Sequence, residues 1–248
     1  MDPLTAIAAS GMRSRTESLE LVANNLANTS TAGYKADGEA YNLYFGQSAW
    51  DGYLEDRPPA GEMPIVERNW ADMSQGTLLD TGNSNDVALA TPGFFVAETS
   101  AGLLYTRGGH FRVSKKGILE TKEGYAVLAA GGKPVRLDPG KPFTISESGQ
   151  ISQEGGAGAA LQVVDIDRVD ALTKRGGTYF ALSEPAKAIP VQDAQVLQGK
   201  VESSNVESSY AAVKLVGVLR QFEMMQRAVR IAGDMGKQSV EQVAKVSS

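Results

Sequence analysis

Catalysis and ligand binding need side chains that move protons, hold metals or attack electrophiles, and this 248-residue chain has few in workable arrangements. It has no cysteine and one histidine, His110. The missing cysteines remove thiolate nucleophiles, disulfide scaffolds, zinc–cysteine sites and cysteine-bound iron–sulfur clusters. A single imidazole removes any site that needs two. His110 follows Gly108-Gly109 and precedes an apolar run, the position of a structural histidine at a turn-to-strand junction. There is no Gly-x-Ser-x-Gly elbow to present a serine nucleophile. Gly155-Gly156-Ala157-Gly158 has the glycines of a phosphate loop, but a strand pattern, Leu161-Gln162-Val163-Val164, follows it. The helix whose N-terminus would hold an anion is missing, so the run predicts a hairpin turn. Asp86, Glu98, Glu120 and Glu123 are the acids a paired-carboxylate hydrolase would draw on, yet their spacing matches a solvated surface. Asp165, Asp167 and Asp170 lack the further oxygen ligands and the glycine of a calcium loop, and read as charges at strand ends. These residues predict no enzyme, no cofactor and no metal.

The balance of 24 Lys+Arg against 29 Asp+Glu leaves a net charge of −5, without the basic surplus of a nucleic-acid binder. No run of about 18 apolar residues predicts membrane insertion. The N-terminus, Met1-Asp2-Pro3-Leu4-Thr5, has neither a basic n-region nor an apolar h-region, so no cleaved signal peptide is expected. At 42% hydrophobic and 21% charged, the composition is that of a globular protein with material for one large domain or two small ones.

Residues 2–27 read as a helix, with Asp2 as N-cap and Pro3 at the first helical position. Leu4, Ala8, Met12, Leu19, Val22 and Leu26 form its apolar stripe, and Arg15 interrupts it. The turn-forming run Asn28-Thr29-Ser30-Thr31-Ala32-Gly33 should end the helix. At the other end, Ser204 and Glu207 have capping-box spacing. From there Ala211, Leu215, Val218, Phe222, Met225, Val229, Ala232, Gly236 and Val243 keep the four-three spacing of a coiled-coil-like seam. Gly217, Gly233 and Gly236 lie inside this helix and weaken it by about 1 kcal/mol each relative to alanine. Two readings fit them: tolerance near a frayed end, or small residues that let another helix approach. Arg220, Arg227 and Arg230 lie off the stripe.

Between the helices, short apolar runs recur every eight to ten residues or so, from Phe94-Phe95-Val96 to Thr178-Tyr179-Phe180, with turn residues between them. The fold class predicted is α+β: terminal helices forming a coiled-coil-like domain, with an inserted antiparallel β-rich domain, sandwich- or barrel-like. The boundaries expected are 1–33 for the N-terminal helix, 34–75 for an extended arm, 76–200 for the β-rich domain and 201–248 for the C-terminal helix. Each helix has one apolar stripe and only the other to cover it, so the two must meet and still leave a seam for association. The predicted assembly interface is Leu4, Met12, Leu19, Val22, Asn24, Asn25, Leu26, Asn28, Leu215, Val218, Phe222, Met225, Val229, Ala232 and Gly236, with the three asparagines fixing the turn from helix to arm.

Three separated motifs now carry a family resemblance. Ala23-Asn24-Asn25-Leu26-Ala27-Asn28, followed by Thr31-Ala32-Gly33-Tyr34-Lys35, resembles the N-terminal signature of the bacterial flagellar rod and hook proteins. Glu202-Ser203-Ser204-Asn205-Val206 and Phe222-Glu223-Met224-Met225-Gln226-Arg227-Ala228 resemble the family's last helix and its entry. Asp86-Val87-Ala88-Leu89, Gly93-Phe94-Phe95 and Tyr105-Thr106-Arg107-Gly108-Gly109-His110-Phe111 resemble its β region. The resemblance implies an inner helical domain, a displayed β domain and a structural role in the basal-body rod. It also implies other rod subunits as partners, passage through the flagellar type III export apparatus, and a periplasmic place that suits a chain without cysteine. Two readings from other classes stay open at this stage. A peptidoglycan-remodelling enzyme would lose activity with one carboxylate, and a secreted β-domain adhesin would keep its binding without residues 204–248.

Overall fold

The computed structural model describes residues 3–45, 62–154, 156–183 and 186–246. Asp2, Trp50, Tyr53 and Gly155 lie outside them. The chain divides into a helical unit, Met1–Ala27, Asp37–Trp70 and Glu207–Ser248, and a β unit, Asn28–Ala36 and Ala71–Val206.

In the helical unit, α1 (Pro3–Ala27) begins at the proline whose missing N–H costs a first turn nothing. α2 (Ser208–Val246) has 39 residues and at 1.5 Å per residue is about 58 Å long. It starts later than the Ser204–Glu207 capping box requires. The Glu207 carbonyl accepts the Ala211 N–H at 2.9 Å, and the Ser209 hydroxyl donates to Glu207 Oε1 at 2.8 Å. The Ser204 hydroxyl instead accepts the Val206 N–H at 3.2 Å, closing a tight turn before the helix. The stretch expected as an extended arm contains β1 (Asp37–Phe45) and β2 (Glu62–Ala71), which pair in a two-stranded sheet. Gly38 leaves room for the Trp70 ring, which a Cβ there would meet at 2.5 Å.

The β unit is antiparallel throughout its described pairings. Its strands are β3 (Leu78–Asp80), β4 (Val87–Leu89), β5 (Phe94–Thr99), β6 (Gly102–Thr106), β7 (Phe111–Val113), β8 (Leu119–Thr121), β9 (Ala126–Ala129) and β10 (Lys133–Pro134). They continue with β11 (Phe143–Ile145), β12 (Gln150–Gln153), β13 (Gly156–Ala160), β14 (Val163–Ile166), β15 (Leu172–Lys174), β16 (Tyr179–Leu182), β17 (Ala188–Pro190), β18 (Val196–Gln198) and β19 (Lys200–Glu202). The main sheet runs β15-β16-β6-β5-β9-β8-β7, with β10 beside β9 and β14 bridging β5 to β17. β11-β12-β13 form a second sheet, and β18-β4 and β19-β3 are two-stranded.

β5 is central, and its first four residues, 94–97, are buried on both faces because successive side chains point opposite ways. Phe95 joins Val87, Leu119, Val127 and Val135 in one core, while Phe94 and Val96 join Tyr105, Leu128, Val164 and Phe180 in the other. Most apolar runs became strands. The run Val135-Arg136-Leu137 did not: the strand there is Lys133–Pro134, and Arg136 makes only an isolated bridge to Ile118. The glycine run expected as a turn is largely strand β13, paired to β12 with a register shift between Gln150 and Ser152.

Candidate functional site

None of the chemical candidates converges on a reaction centre. His110 Nδ1 lies 2.9 Å from Asp86 Oδ1, and the backbones of the two residues form a β-bridge. Glu120 faces Arg112 at 3.7 Å, and Glu123 accepts the buried Tyr179 hydroxyl. Burial, then the Glu123 contact, raises the Tyr179 pKa above its usual value. Asp167 accepts the Lys187 N–H at 2.9 Å, and Asp170 pairs with Arg168 at 2.9 Å. Among the described residues, no group of three or more acids and histidines is placed to hold a metal ion, and no helix is long and apolar enough to cross a membrane.

Two other features stand out, one in each unit. In the helical unit α1 and α2 are in contact. The buried line on α1 is Gly11, Ser14, Ser18 and Val22, whose three-four-four spacing is helical. Met12, Leu19, Asn25 and Leu26 flank it half-buried, and Asn24 is exposed. On α2, Ala211 and Val218 are buried, with Leu215, Phe222, Met225 and Val229 half-buried beside them. A Cβ at Gly11 would meet the Met225 methyl at 3.4 Å, so the small residue gives that side chain its seat. Leu4, Ala232 and Gly236 lie outside the residues whose side chains are described. Asn25 reaches β1: its amide donates to the Asp37 carbonyl and accepts the Asp37 N–H, both at 2.8 Å. Lys214 lies 3.5 Å from Glu39.

Gly11, Ser14 and Ser18 carry no hydropathy signal; it is their smallness that lets a neighbour approach. A second apolar face of α2 lies off the four-three seam. Tyr210, Val213, Met224, Ile231 and Met235 are each at least 60% exposed. At about 100° per residue they fall within an arc of about 60°, centred about 120° from Ala211 and Val218. Arg220 and Arg227 border this face and are exposed, as is Arg230. A Cβ at Gly217 or Gly233 would meet nothing within 4 Å.

In the β unit, the turn after α1 packs by its motif residues. Thr31 donates its N–H to the Asn28 carbonyl at 3.1 Å and its hydroxyl to Asn28 Oδ1 at 3.0 Å. Gly33 has φ +73°, and a Cβ there would sit 2.2 Å from the Gly108 nitrogen, so only glycine fits. Tyr34 is buried under Lys174, whose Nζ lies 3.8 Å from the ring centroid and donates to the Lys35 carbonyl at 2.8 Å. Lys35 and Glu202 are 1% and 0% exposed at the side chain and 2.6 Å apart; Arg107 Nη1 reaches the other Glu202 oxygen at 3.3 Å. Lys35 Nζ also donates to the Ser74 carbonyl at 2.6 Å, and Glu202 Oε1 accepts the Gly76 N–H at 3.0 Å. Burial pushes the Lys35 pKa down, against the opposing hydrogen bond and charge of Glu202; burial also lowers Arg107, with Glu202 and Asp165 opposing. The three charged residues lie inside motifs quoted above, but nothing in their spacing shows that residues 35, 107 and 202 meet.

Comparison with known proteins bears on what these two features do. Residues 6–35 match the family described as flagella basal body rod protein. Residues 88–153 match the flagellar hook protein FlgE/F/G D1 domain, and residues 197–242 the C-terminal region of flagellar basal body rod FlgEFG protein. Over whole chains, the sequence is 29% identical to the flagellar basal-body rod protein FlgF of Caulobacter vibrioides across 259 residues, covering 100% of both. It is 30% identical to the flagellar basal-body rod protein FlgG of Agrobacterium fabrum across 255 residues, covering 93% of this chain and 95% of that one. Against FlgF of Escherichia coli it is 29% identical across 241 residues, covering 91% and 92%.

Proposed function

The chain belongs to the flagellar basal-body rod protein family, a structural component of the basal body and not an enzyme, and on that premise we propose that its helical ends are the surfaces through which rod subunits join. The observation that carries this is the second apolar face of α2. One face of the helix is used by α1, and the other presents Tyr210, Val213, Met224 and Ile231 to solvent. Burying four such side chains at about 1.5–3 kcal/mol each stabilises an interface by about 6–12 kcal/mol, which is of the order of what association costs in lost freedom. The occupant is the corresponding helix of a second rod subunit, and the two together extend a coiled-coil-like seam. Gly217, which lies on this face with open space around it, lets that helix come close. Leu4, Met12, Leu19, Val22, Asn24, Asn25, Leu26, Asn28, Leu215, Val218, Phe222, Met225, Val229, Ala232 and Gly236 contribute to the same assembly, either at the seam or by setting the exit of α1.

In this reading the helical unit is the part that builds the rod and the β unit the part it displays. The helical ends gain their full order on joining the rod, and long helices packed side by side resist torsion, as a drive shaft must. Export is by the flagellar type III apparatus, to a periplasmic rod. Within the family, the single β insert favours the proximal rod position, FlgF-like, over the distal, FlgG-like one. Val213→Glu, Met224→Glu and Ile231→Glu test the assembly surface. Each should leave the circular dichroism of the free chain unchanged while abolishing incorporation into rods and swimming in soft agar. Swimming at the wild-type rate with all three together would refute it.

A further inference from the structure

The chain passes between its two units four times, and three of these passages gather on one side chain of the β unit. Asn205 stands just before α2. Its Oδ1 accepts the Ala36 N–H at 2.8 Å, on the segment that leads into β1. Its Nδ2 donates to the Asp72 carbonyl at 2.8 Å, on the segment that follows β2, and contacts the Ser74 carbonyl and hydroxyl at 3.2 and 3.0 Å. Two backbone bonds run alongside: Asp72 N–H to the Ala36 carbonyl at 2.8 Å and Asn205 N–H to the Tyr34 carbonyl at 3.4 Å. Directly beneath, the buried Lys35, Glu202 and Arg107 tie the same segments to the sheet.

We propose that Asn205 is a positioning residue: its amide clamps together the three connecting segments that lead to and from the helical unit, so that the helix-bearing ends leave the β unit from fixed points. An amide suits the position because it offers an acceptor to one segment and two donors to another; a carboxylate has no donor and a hydroxyl only one. The half-buried placement of Asn205 also fits a clamp more than a core residue. The inference rests on the assembly reading above and adds the device that presents the assembling ends.

The test is hydrogen exchange on the purified full chain, with soft-agar swimming in parallel, for Asn205→Ala and Asn205→Asp. In Asn205→Ala the Ala36 and Asp72 amides should exchange at least tenfold faster, while the amides of Val127 and Phe180, which sit in the cores, keep their protection. Swimming should be lost. Asn205→Asp keeps the acceptor, so Ala36 should stay protected while Asp72 loosens. Unchanged exchange at Ala36 and Asp72 would overturn the proposal. So would a loss of protection spread evenly over the core amides, which would make Asn205 a plain stability residue, and so would normal swimming. Because exchange is read on the free chain, failure here is separable from failure of the helix-face substitutions.

Discussion

Glu202→Gln isolates one charge in the most deeply buried polar cluster of the described residues. The replacement keeps the shape of the side chain and an oxygen for the Gly76 N–H, but leaves Lys35 and Arg107 as two cations with no anion in contact. Breaking a buried pair by neutralising one partner costs about 3–5 kcal/mol, because the remaining charges have already lost their water. For a unit of roughly 150 residues, each kcal/mol lowers the melting temperature by roughly 2–4 °C. The midpoint of the β unit should therefore fall by about 6–20 °C. The assay is thermal unfolding followed by the near-ultraviolet signal of the Tyr125–Tyr179 ring pair, which lies within that unit at 5.3 Å. Replacing all three residues by apolar ones, Lys35→Met, Arg107→Met and Glu202→Leu, should recover most of the loss, since an apolar core of similar volume has no charge to desolvate. A shift below ~2 °C for Glu202→Gln would refute the reasoning, because it would mean that water reaches the two cations at little cost.

Three further outcomes follow from the same geometry. Gly33→Ala forces an alanine into φ +73° with its Cβ against the Gly108 backbone, and should destabilise the β unit by about 2–5 kcal/mol in urea unfolding. Asn25→Ala removes both of its hydrogen bonds to the Asp37 backbone, and should cost the helical unit about 1–3 kcal/mol, read from its helical circular dichroism on heating. The Tyr179 pKa is raised in the fold above its ordinary 10.0, so its contribution to stability is complete below pH 10 and is lost as the pH rises beyond it. Melting temperatures between pH 8 and 11 should therefore fall less steeply in Tyr179→Phe, with the raised Tyr105 accounting for part of the slope that remains.

Much of the fold was legible because its signals are local. Pro3 and the Asn28–Gly33 turn bound α1 closely, and the runs at Phe94, Leu103, Phe143 and Tyr179 became strands because apolar β-formers between turn residues have few alternatives. The errors come from competition with tertiary structure. Ser204 has the right spacing for a capping box, but its hydroxyl closes a turn to Val206, and the helix begins only at Ser208. Val135 and Leu137 point into a core without forming a ladder, since the pairing with β9 ends at Pro134. β1 and β2 lie in a stretch of aromatics among Pro and Gly that reads as an arm, and β3 and β19, which pair, are three residues each, too short for a period to show. The site was half legible. The four-three repeat of α2 marked a helix in need of partners. Which of its faces α1 takes, and that Gly11, Ser14 and Ser18 receive it, depends on side-chain size more than on hydropathy. That Lys35, Arg107 and Glu202 converge is a matter of topology, with the first and the last 167 positions apart.

The most direct test of the account is a density map of the basal body with this chain traced at side-chain detail. The account requires the face of α2 that carries Tyr210, Val213, Met224, Ile231 and Met235 to be covered by a helix of a neighbouring rod subunit. Density showing that face open to solvent, with subunits joined only through their β units, would contradict it.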